Sequence, residues 1–463
     1  MRRTIRATIA RDINWMYRRI EPTDQASLVY REQCPGLTLW AAIGAGEFRG
    51  AWSTGKRAFV CMGTGVYEVF SGGTYTLRGT VVTSTGPVEF AQGLFQLVMV
   101  DGVAGYVLTL ASNAFAQITS PNFYGSKRVA FLDGRFIFVH PDTQQFYWSA
   151  GIDTATAYNA LDFASAESQP DNIVAHLVDH REIIFFGEYT TEPWLPIPSQ
   201  DQIYQRNSGA TSEVGCAATF SAQKIDNSVF WVGLDKNGTG MVWKMGGNSG
   251  YQPQRVSDHL AEDYLAGSSD LSGSRAWVYQ DAGQTFYVLW APGKDTTLVY
   301  DASIGRWHER SELVNGSLAR WRAWGHVFAF GLHLVGDGEG NLYRIDETVN
   351  KYGSDLMYRE TTSPHAVAPS IKWVYFDVMR LNTTLGQTTL TAAPNIEMRY
   401  SDNGGETWSS WTPRSLGAIG EFNKPPTWHR LGRAKDRVWQ WRVTEDCKCA
   451  VIGLDVTSRE GTA

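Results

Sequence analysis

Cys447-Lys448-Cys449 is the pattern with the plainest chemistry, since two thiols at C-x-C spacing are metal ligands or a redox pair. A structural zinc needs a second pair of ligands, which C-x-C alone does not supply. On a strand the two thiols share one face, which is a packing pattern. His176 and His180 are four apart, as metal ligands on a helix would be. Their surroundings read as strand and turn, and no Glu separates them as in H-E-x-x-H. Asp337-Gly338-Glu339-Gly340-Asn341 has the form of half a Ca²⁺ loop without the closing acid, so it reads as a hairpin turn. SDNGGETW, Ser401 to Trp408, is close to the Asp-box S-x-D-x-G-x-T-W with Asn403 at the usual Asp position. It occurs once, and it is a turn device: the side chain bonds the loop backbone, Gly allows the bend and Trp packs beneath. A sialidase would also need convergent arginines, a Tyr nucleophile and paired acids. The expectation is therefore no enzyme, with no catalytic, cofactor-binding or metal-binding residue assigned and no cofactor required.

A basic, aromatic cluster stands apart from these: Trp428, His429, Arg430, Arg433, Lys435, Arg437, Trp439, Trp441 and Arg442. Interleaved Arg and Trp bind phosphate and stack bases. They also pack on one another as cation–π ladders in ordinary sheets. The ladder ranks first, a protein–protein contact second and DNA third. Arg430, Arg433 and Arg437 are the candidate docking surface.

The elements that must carry these residues are strands. The chain has 463 residues, 46 of them Gly, and is 13% aromatic, which favours many short strands joined by tight turns. A net charge of -6 argues against gripping nucleic acid over the whole surface. Five scattered cysteines, an odd number, fit a reduced, cytoplasm-made protein. No apolar run is long enough to span a membrane. The N-terminal MRRTIRATIARDINWMYRR lacks the apolar core and cleavage site of a signal peptide.

From Lys56 onward short apolar runs recur, each closed by Gly or Asp and followed by a strand carrying Tyr or Trp. The seven runs are Arg57 to Phe70, Phe95 to Leu110, Arg128 to His140, Phe163 to Trp194, Ser228 to Met245, Gln284 to Asp301 and His326 to Asp346. Their spacing is close to that of propeller repeats, about 40 to 50 residues. The fold class expected is all-β: a β-propeller of seven blades, with six as the alternative, and a C-terminal β-sandwich-like domain. The expected organisation is an N-terminal arm over 1–44, the propeller over 45–353 and the sandwich over 371–463. Ile5, Ile9 and Ile13 allow a short helix in the arm, against an extended arm that packs on a neighbour. Val256 to Leu265 reads as a helix capped by Ser257, on the rim between blades five and six.

Several collinear stretches resemble the tail hub, or packaged-DNA stabilisation (tail nozzle), family of short-tailed bacteriophages. The most specific are Ala166-Glu167-Ser168-Gln169-Pro170-Asp171, followed by IIFFG, and Leu298-Val299-Tyr300-Asp301-Ala302-Ser303, closing with Trp307. Cys34 to Leu37, Asn341 to Asp346 and Trp428 to Arg433 are weaker matches in the same order. The resemblance implies a structural virion protein made in the host bacterial cytoplasm. It implies a homo-oligomeric ring, usually a hexamer, below the portal and its adaptor. Such a ring extends the channel for double-stranded DNA, retains the packaged genome until ejection, and carries tail fibres, spikes or a needle. The other reading is a carbohydrate-binding or sialidase-like propeller.

Overall fold

The computed structural model describes residues 10–20, 28–199, 202–235, 237–367 and 372–461. Two compact units divide the chain. One is built from Leu39–Lys294 and Arg322–Arg344, the other from Met1–Thr38, Asp295–Trp321 and Ile345–Ala463.

The first unit is a β-propeller. Its first five blades are four-stranded antiparallel sheets in simple up-and-down order. Blade 1, for example, runs Phe48–Ser53, Ala58–Met62, Gly65–Val69 and Tyr75–Thr80. The innermost strands of the seven blades are Phe48–Ser53, Glu89–Gln92, Val129–Leu132, Ile173–Asp179, Gln223–Ile225, Arg275–Asp281 and Gly325–Ala329. Each lies beside the next, and Gly325–Ala329 lies beside Phe48–Ser53, so the described residues close a seven-membered ring. The Leu39–Ala42 part of an early strand is the outer neighbour of the last blade, where Ile43 and Gly44 donate backbone N–H bonds to Gly340. Closure therefore uses N-terminal chain in the last blade.

The apolar clusters explain why the blades need one another. Phe59, Val66, Leu97 and Tyr106 pack blade 1 on blade 2. Val98, Val107, Phe136 and Phe138 pack blade 2 on blade 3. Leu132, Phe146, Phe185 and Trp194 pack blade 3 on blade 4, and Phe186, Trp231 and Met245 pack blade 4 on blade 5. Each sheet is apolar on both faces, and radial stacking removes both from water.

Two sequence readings shift by one element. Phe163–Ser165 does not open blade 4; it pairs with Gln145–Trp148 as the outer strand of blade 3. Blade 4 begins at Ile173, where the broken apolar alternation is a bulge: Ile173 pairs with Gly187 and Ala175 with Phe186. The helix spans His259–Ala266, and Asp258, not Ser257, caps it by accepting from the Ala261 N–H.

The second unit holds the β-sandwich. One sheet contains Trp15–Ile20, Leu28–Gln33, Ala450–Glu460, Val374–Thr383 and Thr427–His429 in that order. The other contains Arg306–Val314, Arg11–Ile13, Arg359–Thr362, Asp436–Val443, Asn395–Ser401 and Thr412–Ser415. Between them pack Trp15, Met379, Leu381, Trp428, Trp439, Trp441, Cys447 and Cys449.

Of the expected arm over 1–44, the described residues 10–20 and 28–44 pair largely into the chain's own sheets. Ile13, Asn14, Trp15 and Met16 are buried, and Arg11–Ile13 sits between Arg306–Val314 and Arg359–Thr362. Asp12 accepts hydrogen bonds from Tyr17, Arg31 and Thr361 inside the same unit. Ile13 is in a strand; Ile5 and Ile9 lie outside the described residues.

Candidate functional site: ring centre and sandwich face

Each residue with apparent chemistry has a structural occupation. Cys447 and Cys449 are buried in the sandwich core, and burial pushes both thiols up, Cys449 to about 11. His176 is buried in blade 4; burial, with the Arg128 charge nearby, pushes it down to about 3. His180 lies in the following turn with Nδ1 2.9 Å from Asp179. The Asp337 carboxylate accepts from the N–H of Glu339 at 2.9 Å and of Asn341 at 2.8 Å, which builds a hairpin turn. In the Asp-box, Asn403 Oδ1 accepts from the Thr407 N–H at 2.9 Å and Ser401 Oγ from the Gly405 N–H at 2.8 Å. Among the described residues, no group of three or more His, Cys, Asp or Glu is placed to hold a metal.

The three candidate docking arginines separate. Arg430 and Arg433 are exposed. The Arg433 guanidinium lies 4.6 Å from the ring centre of half-exposed Trp373, which Lys435 also approaches at 5.2 Å. Arg437, by contrast, is only 1% exposed and cannot be part of a docking surface. Its Nε and Nη2 donate to the Asp402 carboxylate at 2.5 and 2.8 Å, and Nη1 to the Leu431 carbonyl at 2.6 Å. It also stacks over Tyr400 at 4.0 Å and Phe376 at 4.8 Å. The linear cluster misled because Asp436–Val443 alternates between the two faces of one sheet: Trp439 and Trp441 enter the core, and Arg442 pairs with Glu397 at 2.6 Å.

The run Ala166 to Asp171 is a lock on blade 4. Asp171 is buried and accepts from the N–H groups of Tyr189 and Thr190 at 2.8 and 3.0 Å. A Cβ at Gly187 would stand 2.2 Å from the Asp171 carboxylate, so any side chain there displaces that carboxylate from its bonds. The Ser168 N–H donates to buried Glu192 at 2.8 Å, whose other oxygen accepts from the Trp194 indole at 3.2 Å.

Sequence reasoning missed the ring centre. Arg128, just before the inner strand of blade 3, reaches across the ring. Its Nη1 donates to the carbonyls of Thr219 and Ala222 at 3.2 and 2.9 Å, ahead of the blade 5 strand, and its Nη2 lies 3.1 Å from Glu89 of blade 2. Gln223 Nε2 donates to the Ala276 carbonyl at 2.8 Å, tying blade 5 to blade 6. Cys216, Ala218, Ser221 and Ala222 are buried beside these bonds. These bonds bridge the inner edges of blades 2, 3, 5 and 6 and leave a cavity of about 190 Å³ among residues such as Gly50, Glu89, Gln223, Arg275 and His326. An Arg preceding an apolar strand carries no local sign of such a role.

No curated protein matches the chain. Among solved structures it is similar to the Neurospora crassa Pan2 WD40 domain, at 9% identity over 67% of this chain and 95% of that one, with a TM-score of 0.43. It is also similar to YCF48 bound to D1 peptide, at 12% identity over 70% and 99%, with a TM-score of 0.42. No helix among the described residues is long and apolar enough to cross a membrane. The model for the bacteriophage P22 Gp10 β-propeller matches residues 14–350 and that for the bacteriophage P22 Gp10 β-sandwich matches residues 364–459, and the chain belongs to the bacteriophage P22 Gp10 family.

Proposed function

We propose that the chain forms the tail hub, or nozzle, of a short-tailed phage particle. In this reading several copies, six by the family resemblance, make a ring below the portal and adaptor. The ring extends the DNA channel, retains the packaged genome and anchors tail fibres, spikes or a needle. Membership of a phage structural family supports a virion component without catalysis.

The observation that carries the ring is that Arg128 bridges the inner edges of three blades. With Arg128 bonded to Thr219, Ala222 and Glu89, the bore of one chain has no room for a duplex. B-DNA is far wider than such a gap; its major groove alone spans about 12 Å. A channel for DNA must therefore be enclosed by several copies, and ring closure requires one patch to meet a different patch on the next copy. Exposed Arg430 and Arg433, the latter beside Trp373, are the cationic, aromatic surface we assign to docking with a neighbouring copy or the adaptor. Trp and Arg are the residue types that dominate such contacts.

Mass photometry and negative-stain imaging of the purified full chain, alone and with the adaptor, test this. The expected result is a closed ring whose bore admits a duplex. A chain that stays monomeric at every concentration and ignores the adaptor overturns the reading.

A further inference from the structure

A cavity of about 540 Å³ opens in the propeller unit where the chain enters the inner strands of blades 3 to 6. Its volume is within the usual range for small-ligand sites, roughly 300 to 1,000 Å³. The wall mixes opposite hydrogen-bonding types. Asp142 and Glu188 bring carboxylates, Asn172 an amide and Lys127 an ammonium group. All four are exposed, and none has a side-chain partner among the described residues. Tyr189, 64% exposed, stands at the edge of the same cavity. Arg128 forms part of the wall; it is 6% exposed, and its Nε is buried with no acceptor among the described residues.

We propose that this cavity is a binding site for an uncharged saccharide. A hydroxyl group both donates and accepts, so it matches a wall that sets carboxylate acceptors beside amide, ammonium and guanidinium donors. A small anion would meet Asp142 and Glu188, and a small cation would meet Arg128 and Lys127, so neither fits the whole wall. The exposed Tyr189 ring offers an apolar face with a polar tip, suited to the C–H face of a pyranose. Asp171 connects the site to the blade: its carboxylate fixes the backbone of Tyr189, and Asn172 follows it directly. The site lies wholly within the propeller and does not depend on assembly. A virion bearing several copies would present several such sites, which raises avidity without new contacts.

The test uses the purified full chain on a printed array of neutral and anionic bacterial oligosaccharides. Thermal-shift titration then follows with the best-bound glycan. Wild type is expected to bind neutral glycans. Glu188→Gln and Tyr189→Ala, both exposed positions, are expected to lower the affinity at least tenfold while leaving the unliganded melting temperature unchanged. Asn113→Ala, on a distant loop, should bind as wild type does. The proposal is overturned if no glycan binds, if binding is confined to anionic glycans, or if Glu188→Gln and Tyr189→Ala bind as wild type. Capture of an acidic or basic peptide in place of sugar would likewise overturn it.

Discussion

Asn14 and Ser311 exchange hydrogen bonds across 297 residues of sequence: Asn14 Nδ2 donates to the Ser311 carbonyl at 2.7 Å, and the Ser311 N–H donates to Asn14 Oδ1 at 3.1 Å. The amide stands in for a strand backbone inside one unit. It also donates to the Tyr358 carbonyl at 2.6 Å and accepts from the Tyr352 hydroxyl at 2.8 Å. Asn14→Ala would leave these buried groups unsatisfied and is expected to destabilise the protein by about 3 kcal/mol. The urea midpoint measures it. Deleting residues 1–20 is expected to unfold the sandwich unit; retention of its near-ultraviolet dichroism would show that the strand is dispensable.

Charge reversal separates the three arginines. Arg430→Glu with Arg433→Glu is expected to fold as wild type does and to weaken docking in a salt-sensitive manner. Arg437→Glu places a carboxylate at a buried position beside the Asp402 carboxylate and is expected to unfold the sandwich. Arg437→Ala should cost about 3 kcal/mol, through its lost bonds and the stacking on Tyr400 and Phe376. Circular dichroism beside a particle-assembly assay distinguishes these outcomes. Normal assembly of the double variant would remove Arg430 and Arg433 from the docking surface.

Asp171→Ala removes the acceptor for one buried and one part-buried N–H group and should destabilise blade 4 by about 2 kcal/mol. Hydrogen exchange at Tyr189 and Thr190 should accelerate selectively. A uniform change over all blades would mean that the lock is not local.

Burial holds the folded-state pKa of His176 near 3 and that of His326 near 3, far below the ordinary 6.5. The unfolded chain therefore takes up these protons first. Stability is complete above about pH 6.5 and falls as pH drops through the window from 6.5 towards 3, by about 1.4 kcal/mol per pH unit for each such histidine. Between pH 6.5 and 5, His176→Gln is expected to lose about 2 kcal/mol less stability than wild type. Parallel pH slopes for the two proteins would contradict this.

The hairpin between the first two strands of blade 4 turns through His180 and Arg181, with φ of 46° and 63°. The corresponding turns at Asp133-Gly134 and Ala282-Gly283 have the same sign of φ and place Gly second. Arg181→Gly relieves a left-handed side-chain residue at the expense of one exposed ion pair with Asp133. A higher urea midpoint is expected.

The sequence by itself determined what is local and repeated. Apolar runs ending in Gly or Asp signal hairpins because positive φ and alternating burial are set within a few residues. Seven such signals made the propeller legible, and Ala166 to Asp171 with Leu298 to Ser303 made the family legible. The Asp-box turn was legible for the same reason, since its bonds join residues at most four apart. Tertiary structure decided which residues at long separation share a site. Arg437 reads like its exposed neighbours Arg433 and Lys435 until Asp402 and Tyr400 enclose it. Arg128 gains its role only when blades 2, 3 and 5 converge. The N-terminal strand is short, and its partners Glu309 and Glu360 lie some 300 residues away. No local pattern encodes such pairings, because the burial that selects them exists only after the chain has closed on itself.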